Sequence, residues 1–253
     1  MKKYLDRLCH ASLVDAARLS GARLLVYKHA DLREAGRALE RAAPHRRRLL
    51  VTESLFSMDG DFAPLDGLLQ LARQYKAISL VDEAHAIGVW DLTRGWDVTV
   101  GTLSKSLASQ GGFVAGSKEL IDTLINKARS FIFTTGLSPA CVAAAQAALS
   151  LIQEDAAPRR RVHQLSKRLR EGLSAQGWNT LGSQSQIVPV LLKEPKAALE
   201  AAQNLQASGF YAPAIRPPTV HAGECRIRFS VTSEHKESDI DGLLEILQGW
   251  PRE

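Results

Sequence analysis

Apolar positions along this chain switch between two periods, and the switch repeats through its first half. Short continuous apolar runs stand at 23–28 (RLLVYK), 48–53 (RLLVTE), 78–82 (ISLVD), 97–102 (DVTVGT) and 112–116 (GFVAG). Their length and continuity predict strands buried on both faces. Between them, apolar residues recur at helical spacing over 11–20, 31–42 and 64–75, the last opened by Pro64, which suits a first helical turn. Strand and helix in alternation predict an α/β fold, a mainly parallel sheet flanked by helices. Ligands of such sheets sit at the carboxyl ends of the strands. Asp82, Lys105 and the polar stretch after Glu53 all fall there.

From about residue 138 the pattern changes to a long helical region, 139–154, resumed after Pro158 to about 176. A strand over 187–192, a helix over 196–207, strands over 210–215 and 225–231 and a helix over 238–247 follow. That order predicts a smaller C-terminal α+β domain, 151–253, after a large domain, 1–150.

Composition narrows the classes. The 253 residues, 45% apolar and 23% charged, are those of a globular protein with a sizeable core. The net charge of +5 favours anionic partners only modestly. Much of it is local, in Arg46-Arg47-Arg48 and Arg159-Arg160-Arg161 at element boundaries, which read as solvated edges rather than a nucleic-acid patch. Cys9, Cys141 and Cys225 are odd in number and widely spaced, so neither a disulfide framework nor a metal site is expected, and reduced thiols fit a cytoplasmic setting. No window approaches the roughly 18 consecutive apolar residues of a membrane span. The basic start lacks the apolar stretch of a secretory signal and reads as entry into a folded domain.

The candidate chemistry centres on Lys105, in Gly101-Thr102-Leu103-Ser104-Lys105-Ser106, which lies 23 residues after Asp82 in Val81-Asp82-Glu83-Ala84-His85. A carboxylate ending an apolar strand can keep a pyridine nitrogen protonated, and a lysine can form a Schiff base, so the pair suits pyridoxal phosphate. Separately, Asp82 reads as a helix cap and Lys105 as a surface lysine. Thr102, Ser104 and Ser106 add hydroxyls, and Gly111 and Gly112 permit close backbone approach to a phosphate. His10 precedes a helix, where it either caps or stacks on a cofactor ring. Ser57, in Phe56-Ser57-Met58-Asp59-Gly60-Asp61, is either a polar turn residue or a donor to a cofactor oxygen. On the 225–231 strand, alternation puts Arg226 and Arg228 on one face, where one guanidinium can clamp a substrate carboxylate. Two other readings fail on the residues. A helicase needs G-x-x-x-x-G-K-[ST] upstream of Asp82-Glu83-Ala84-His85, and a Ser57 hydrolase needs a G-x-S-x-G elbow; the chain has neither.

Together, Cys9-His10-Ala11-Ser12-Leu13, Phe56-Ser57-Met58-Asp59-Gly60-Asp61, Asp82-Glu83-Ala84-His85, Gly101-Thr102-Leu103-Ser104-Lys105 and Ala214-Ile215-Arg216-Pro217-Pro218-Thr219-Val220 resemble the α-oxoamine synthases. These are fold-type I, aminotransferase-like pyridoxal phosphate enzymes that condense an amino acid with an acyl thioester and lose carbon dioxide. The resemblance implies Lys105 as Schiff-base and proton-transfer lysine, Asp82 on the pyridine nitrogen, His10 over the ring, and His85 and Ser57 on the phenolate side. It also implies Thr102 near the phosphate, Arg228 on the amino-acid carboxylate, Thr219 along the acyl site with Arg216 beside it, and Thr134 and Thr135 reaching a neighbouring subunit of a homodimer. The IRPPTV stretch and Arg226-Ile227-Arg228 are most like the biotin-pathway member, which joins L-alanine to a pimeloyl thioester carried on coenzyme A or an acyl carrier protein. Family members carry a further N-terminal stretch with a glycine-rich phosphate loop. The alternatives are therefore a truncated, impaired member or interaction protein, and a synthase using glycine or serine.

Overall fold

The computed structural model describes residues 2–41 and 47–250. Met1, the helix end expected at Ala42, and Arg46 of the first arginine run lie outside the described residues. The chain divides into two units, Met1–Phe56 with Phe62–Glu154, and Ser57–Asp61 with Asp155–Glu253.

In the first unit the order is β1 (Lys2–Asp6), α1 (Ala11–Leu19), β2 (Arg23–Tyr27), α2 (Leu32–Arg41), β3 (Arg48–Glu53), α3 (Leu65–Gln74), β4 (Ile78–Asp82), β5 (Val98–Thr102), β6 (Gly112–Gly116), α4 (Lys118–Lys127), α5 (Arg129–Ile132) and α6 (Pro139–Glu154). The sheet runs β2-β1-β3-β4-β5-β6. It is parallel from β2 to β5, and β6 returns antiparallel. Alternation along the central strands feeds two cores. Tyr4 and Leu50 face α2 and α3 through Leu39 and Leu68, while Leu5 and Val51 face α1 through Ala17.

Two expectations change here. β1 is a central strand that the charges of Lys2, Lys3 and Asp6 hide from an apolar-run reading. Burial on both faces holds for most of β3, whereas β6 is exposed except at Phe113. β6 is an edge strand with one neighbour, so continuous apolarity overstated its cover.

The second unit holds α7 (Ala157–Ala175), β7 (Ile187–Lys193), α8 (Pro195–Ala207), β8 (Ala214–Ile215), β9 (Cys225–Ser230) and α9 (Glu237–Gln248). Its antiparallel sheet, β7-β9-β8, packs against these helices through Leu165, Leu169, Val188, Leu205, Ile227 and Leu243. The strand expected over 210–215 shrinks to two residues, because only Ala214 and Ile215 pair with β9. Ser57–Asp61 is fastened to this unit. Arg226, only 3% exposed, binds the Asp59 carboxylate, and Gln184 N–H donates to Gly60 O at 3.0 Å. Gly60 has φ +71°, and a Cβ there would lie 2.0 Å from Ile187 O, so no side chain fits.

Candidate active site

β3, β4 and β5 end side by side at one edge of the first sheet, as parallel strands in this register must. A pocket of about 340 Å³ opens there, lined by His10, Glu53, Asp82, His85, Thr102 and Lys105 among others. Five residues expected from the sequence thus meet: His10, Asp82, His85, Thr102 and Lys105.

Each is placed by a local device. Asp82 ends β4 and accepts from Ala84 N–H at 2.8 Å, which aims its carboxylate beside the turn carrying His85. The next residue, Glu83, is fully buried and engaged elsewhere. It accepts from Ser54 Oγ at 2.6 Å, Thr93 N–H at 2.9 Å and Thr93 Oγ at 2.5 Å, so it clamps the strand end and stays out of the pocket lining. His10 caps α1: its Nδ1 accepts from Ser12 N–H at 3.2 Å and lies 2.8 Å from Ser12 Oγ. The capping and pocket readings of His10 are therefore compatible, since the cap engages Nδ1 while the residue also lines the pocket.

Lys105 projects from a loop folded back on itself. Leu103 N–H donates to Gly111 O at 2.9 Å, Ser109 N–H to Leu103 O at 2.8 Å and Ala108 N–H to Lys105 O at 3.0 Å, with Leu107 fully buried as the anchor. The glycines and hydroxyls around it are more structural than expected. Gly111 takes φ +105° in the return turn, and a Cβ on Gly112 would sit 2.9 Å from Gly101 O across β5 and β6. Thr102 Oγ donates to Gly111 O at 3.1 Å and Ser106 Oγ to Ile87 O at 2.6 Å.

Sequence reasoning missed Glu53 as a site residue. It ends β3 directly opposite Asp82 in register, lines the pocket at 3% exposure, and accepts a short hydrogen bond from His10 N–H. The available signal was its position, the last residue of an apolar strand, as for Asp82. Burial pushes the Glu53 carboxyl up to about 8; the His10 N–H and the Lys105 ammonium oppose the rise, and the neighbouring Asp82 adds to it. Burial also raises Asp82, against the Ala84 N–H and Lys105.

The remaining expected residues are not among those that line the pocket. Ser57, Arg216, Thr219 and Arg228 belong to the second unit. There Arg228 Nη1 donates to Ser57 O at 3.0 Å, and its buried Nε has no partner among the described residues. Arg226 is the arginine spent on structure, through Asp59 and Glu224. Arg216 and Thr219 are exposed in the turn after β8, and Thr134 and Thr135 are exposed between α5 and α6. Among the described residues no His, Cys, Asp and Glu cluster has the makings of a metal site, and no helix is long and apolar enough to cross a membrane.

The family model described as "Aminotransferase class I and II" matches residues 3–247. The chain belongs to the aminotransferase class I and II family. Similar members include 8-amino-7-oxononanoate synthase of Geobacter sulfurreducens, 44% identical over 94% of this chain and 64% of that protein. 8-amino-7-oxononanoate synthase 2 of Bacillus subtilis is 41% identical over 98% of this chain and 66% of the relative. Among solved structures of the family's fold, a lysine-to-alanine variant of serine palmitoyltransferase from S. paucimobilis with a bound PLP–myriocin aldimine superposes with a TM-score of 0.93 at 31% identity, covering 98% of this chain and 65% of that one. This family member spans just under two thirds of the length of those relatives.

Proposed function

We propose that the pocket binds pyridoxal phosphate and that the chain carries the catalytic centre of an α-oxoamine synthase, condensing L-alanine with a pimeloyl thioester to 8-amino-7-oxononanoate. The observation that carries this reading is the meeting of Asp82 and Lys105 in one pocket with His10 and His85. The donor set fits the ring of the cofactor: a carboxylate for a protonated ring nitrogen, an amine for an aldehyde carbon and an imidazole for the ring face, while the Thr102 hydroxyl would have to release Gly111 O to donate on the phosphate side. When bound, the cofactor would supply an electron-poor ring that accepts the electrons of a Cα–H bond.

The chain's own residues do the rest. Asp82 holds the ring-nitrogen proton in place, with its carboxylate kept in line by the Ala84 N–H. Lys105, freed as an amine, takes the proton from the substrate's α-carbon and later returns it. Arg228 offers to a carboxylate a buried Nε that has no partner among the described residues, and burial lowers its proton affinity, a cost that an anionic partner offsets. The names of the relatives support the product, and the serine palmitoyltransferase likeness supports the cofactor and keeps serine as a competing amino acid. Work in a dimer, with the acyl chain delivered on coenzyme A or a carrier protein, belongs to the same proposal.

The test is direct. Pyridoxal phosphate added to the purified chain is expected to give a visible absorption band that Lys105→Ala abolishes; no lysine-dependent band would overturn the reading. Alanine is expected to perturb that band more than glycine or serine do, and a stronger response to either of those would move the assignment to another amino acid.

A further inference from the structure

We propose that Glu53 is a positioning residue that keeps its proton while Asp82 ionises, so that the pocket presents one carboxylate and His10 is held by its backbone. The role given to Asp82 rests on the cofactor reading above; the state of Glu53 does not.

The geometry comes first. Glu53 and Asp82 are register partners on adjacent parallel strands, so their side chains leave the sheet on the same face, and both line the pocket. Two carboxyls so placed cannot both ionise cheaply, and their protonation is shared as a pair. Their surroundings break the tie. Asp82 is partly open to the pocket and already accepts the Ala84 N–H, whereas Glu53 is buried.

The neighbouring groups divide, and burial outweighs those that oppose it: the His10 N–H and Lys105 lower Glu53, whereas Asp82 and Asp6 raise it. From β1, Asp6 is a further acid, although His29 Nδ1 at 2.9 Å and Ala30 N–H at 2.8 Å match it. Cys9 is a thiol that burial keeps protonated. Glu83, on the Asp82 side, is consumed by Ser54 and Thr93. The cations are Lys105, which Asp82 shares, and the histidines of the pocket, His10 and His85, when protonated. The bond from His10 N–H survives protonation, because the carbonyl oxygen of a neutral carboxylic acid still accepts. A neutral Glu53 thus fixes the residue before α1 and leaves Asp82 as the sole anion facing a ring nitrogen.

The experiment labels the glutamate side-chain carboxyls of the full chain with ¹³C and follows them by NMR against pH. One resonance is expected to titrate near pH 8 and to be missing from Glu53→Gln. Titration of every glutamate below about pH 6 would overturn the proposal. Amide hydrogen exchange at His10 reads the positioning role. Glu53→Ala is expected to speed it at least about tenfold and Glu53→Gln, which keeps an acceptor, to restore it. Equal rates in the two variants would sink that role, and an unfolded Glu53→Ala leaves the comparison of Glu53→Gln with the parent chain to decide it, an unchanged rate being expected. Absence of the visible cofactor band from the unaltered chain counts against the function alone, since neither readout needs the cofactor.

Discussion

The first unit has two halves that treat apolar residues differently. From β1 to β4, Tyr4, Leu5, Leu50, Phe56 and Leu68 are essentially inaccessible, and α1, α2 and α3 cover the two faces of the sheet. From β6 to α6 the sequence is just as apolar, yet no residue of α4 or α5 is fully buried, Leu120, Ile121 and Leu124 are only half-buried, and in α6, PACVAAAQAALSLIQE, Ala145 alone is fully buried. Phe133 is 71% exposed and Leu151 64%. The pocket carboxyls Glu53 and Asp82 end β3 and β4, on the closed half, while the loop of Lys105 bridges toward the open one. Local closure of the core, rather than apolar composition, is what gives a site rigid walls.

The sharpest way to break this contrast is to cut into both halves. Leu50→Ala is expected to cost about 2–5 kcal/mol in urea unfolding, because its surroundings cannot collapse into the gap. An equal loss for Leu151→Ala would erase the distinction. Next in size, Glu83→Ala strips an acceptor from Ser54 Oγ, Thr93 N–H and Thr93 Oγ and should cost about 1–3 kcal/mol, with Glu83→Gln recovering part of it. The pH dependence of stability gives a gentler signal. A carboxyl whose folded value is raised from 4.5 to about 8 binds more protons folded than unfolded. Its contribution is therefore complete below about pH 4.5 and is lost as pH rises toward 8, and Glu53→Gln should flatten that decline. Smallest of all, Phe133→Ala and Leu151→Ala on the open half should shift stability by no more than about 0.5 kcal/mol. They should reduce the binding of an apolar-surface dye, which Leu50→Ala in the native state should leave unchanged.

Much of this was legible in the sequence. β3, β4, β5 and β6 fall where the apolar runs stand, and the Asp82 and Lys105 motifs meet at the strand ends as the parallel topology requires. What escaped did so for physical reasons. β1 is stabilised by two strand neighbours rather than by an apolar run, so Lys2 and Lys3 conceal it. Phe210 to Pro213 looked like strand, but ladder pairing begins only at Ala214. Glu53 was passed over because its significance lies in the register that sets it opposite Asp82, which no local window contains. Alternation alone leaves Arg226 and Arg228 level and the resemblance favours Arg228; in the fold, Arg226 is occupied by Asp59.

The loop Ser57–Asp61 carries a consequence for variation at these positions. A library randomised at position 60 and selected only for a folded chain should return glycine almost alone, since Ile187 O occupies the space of any β-carbon. At position 59 the same selection should return acids that can answer the Arg226 guanidinium, whether or not the chain binds anything. A recurring MDGD phrase in such a collection would then be a signature of assembly within the second unit, and reading it as a mark of chemistry would mistake a fastening for a tool.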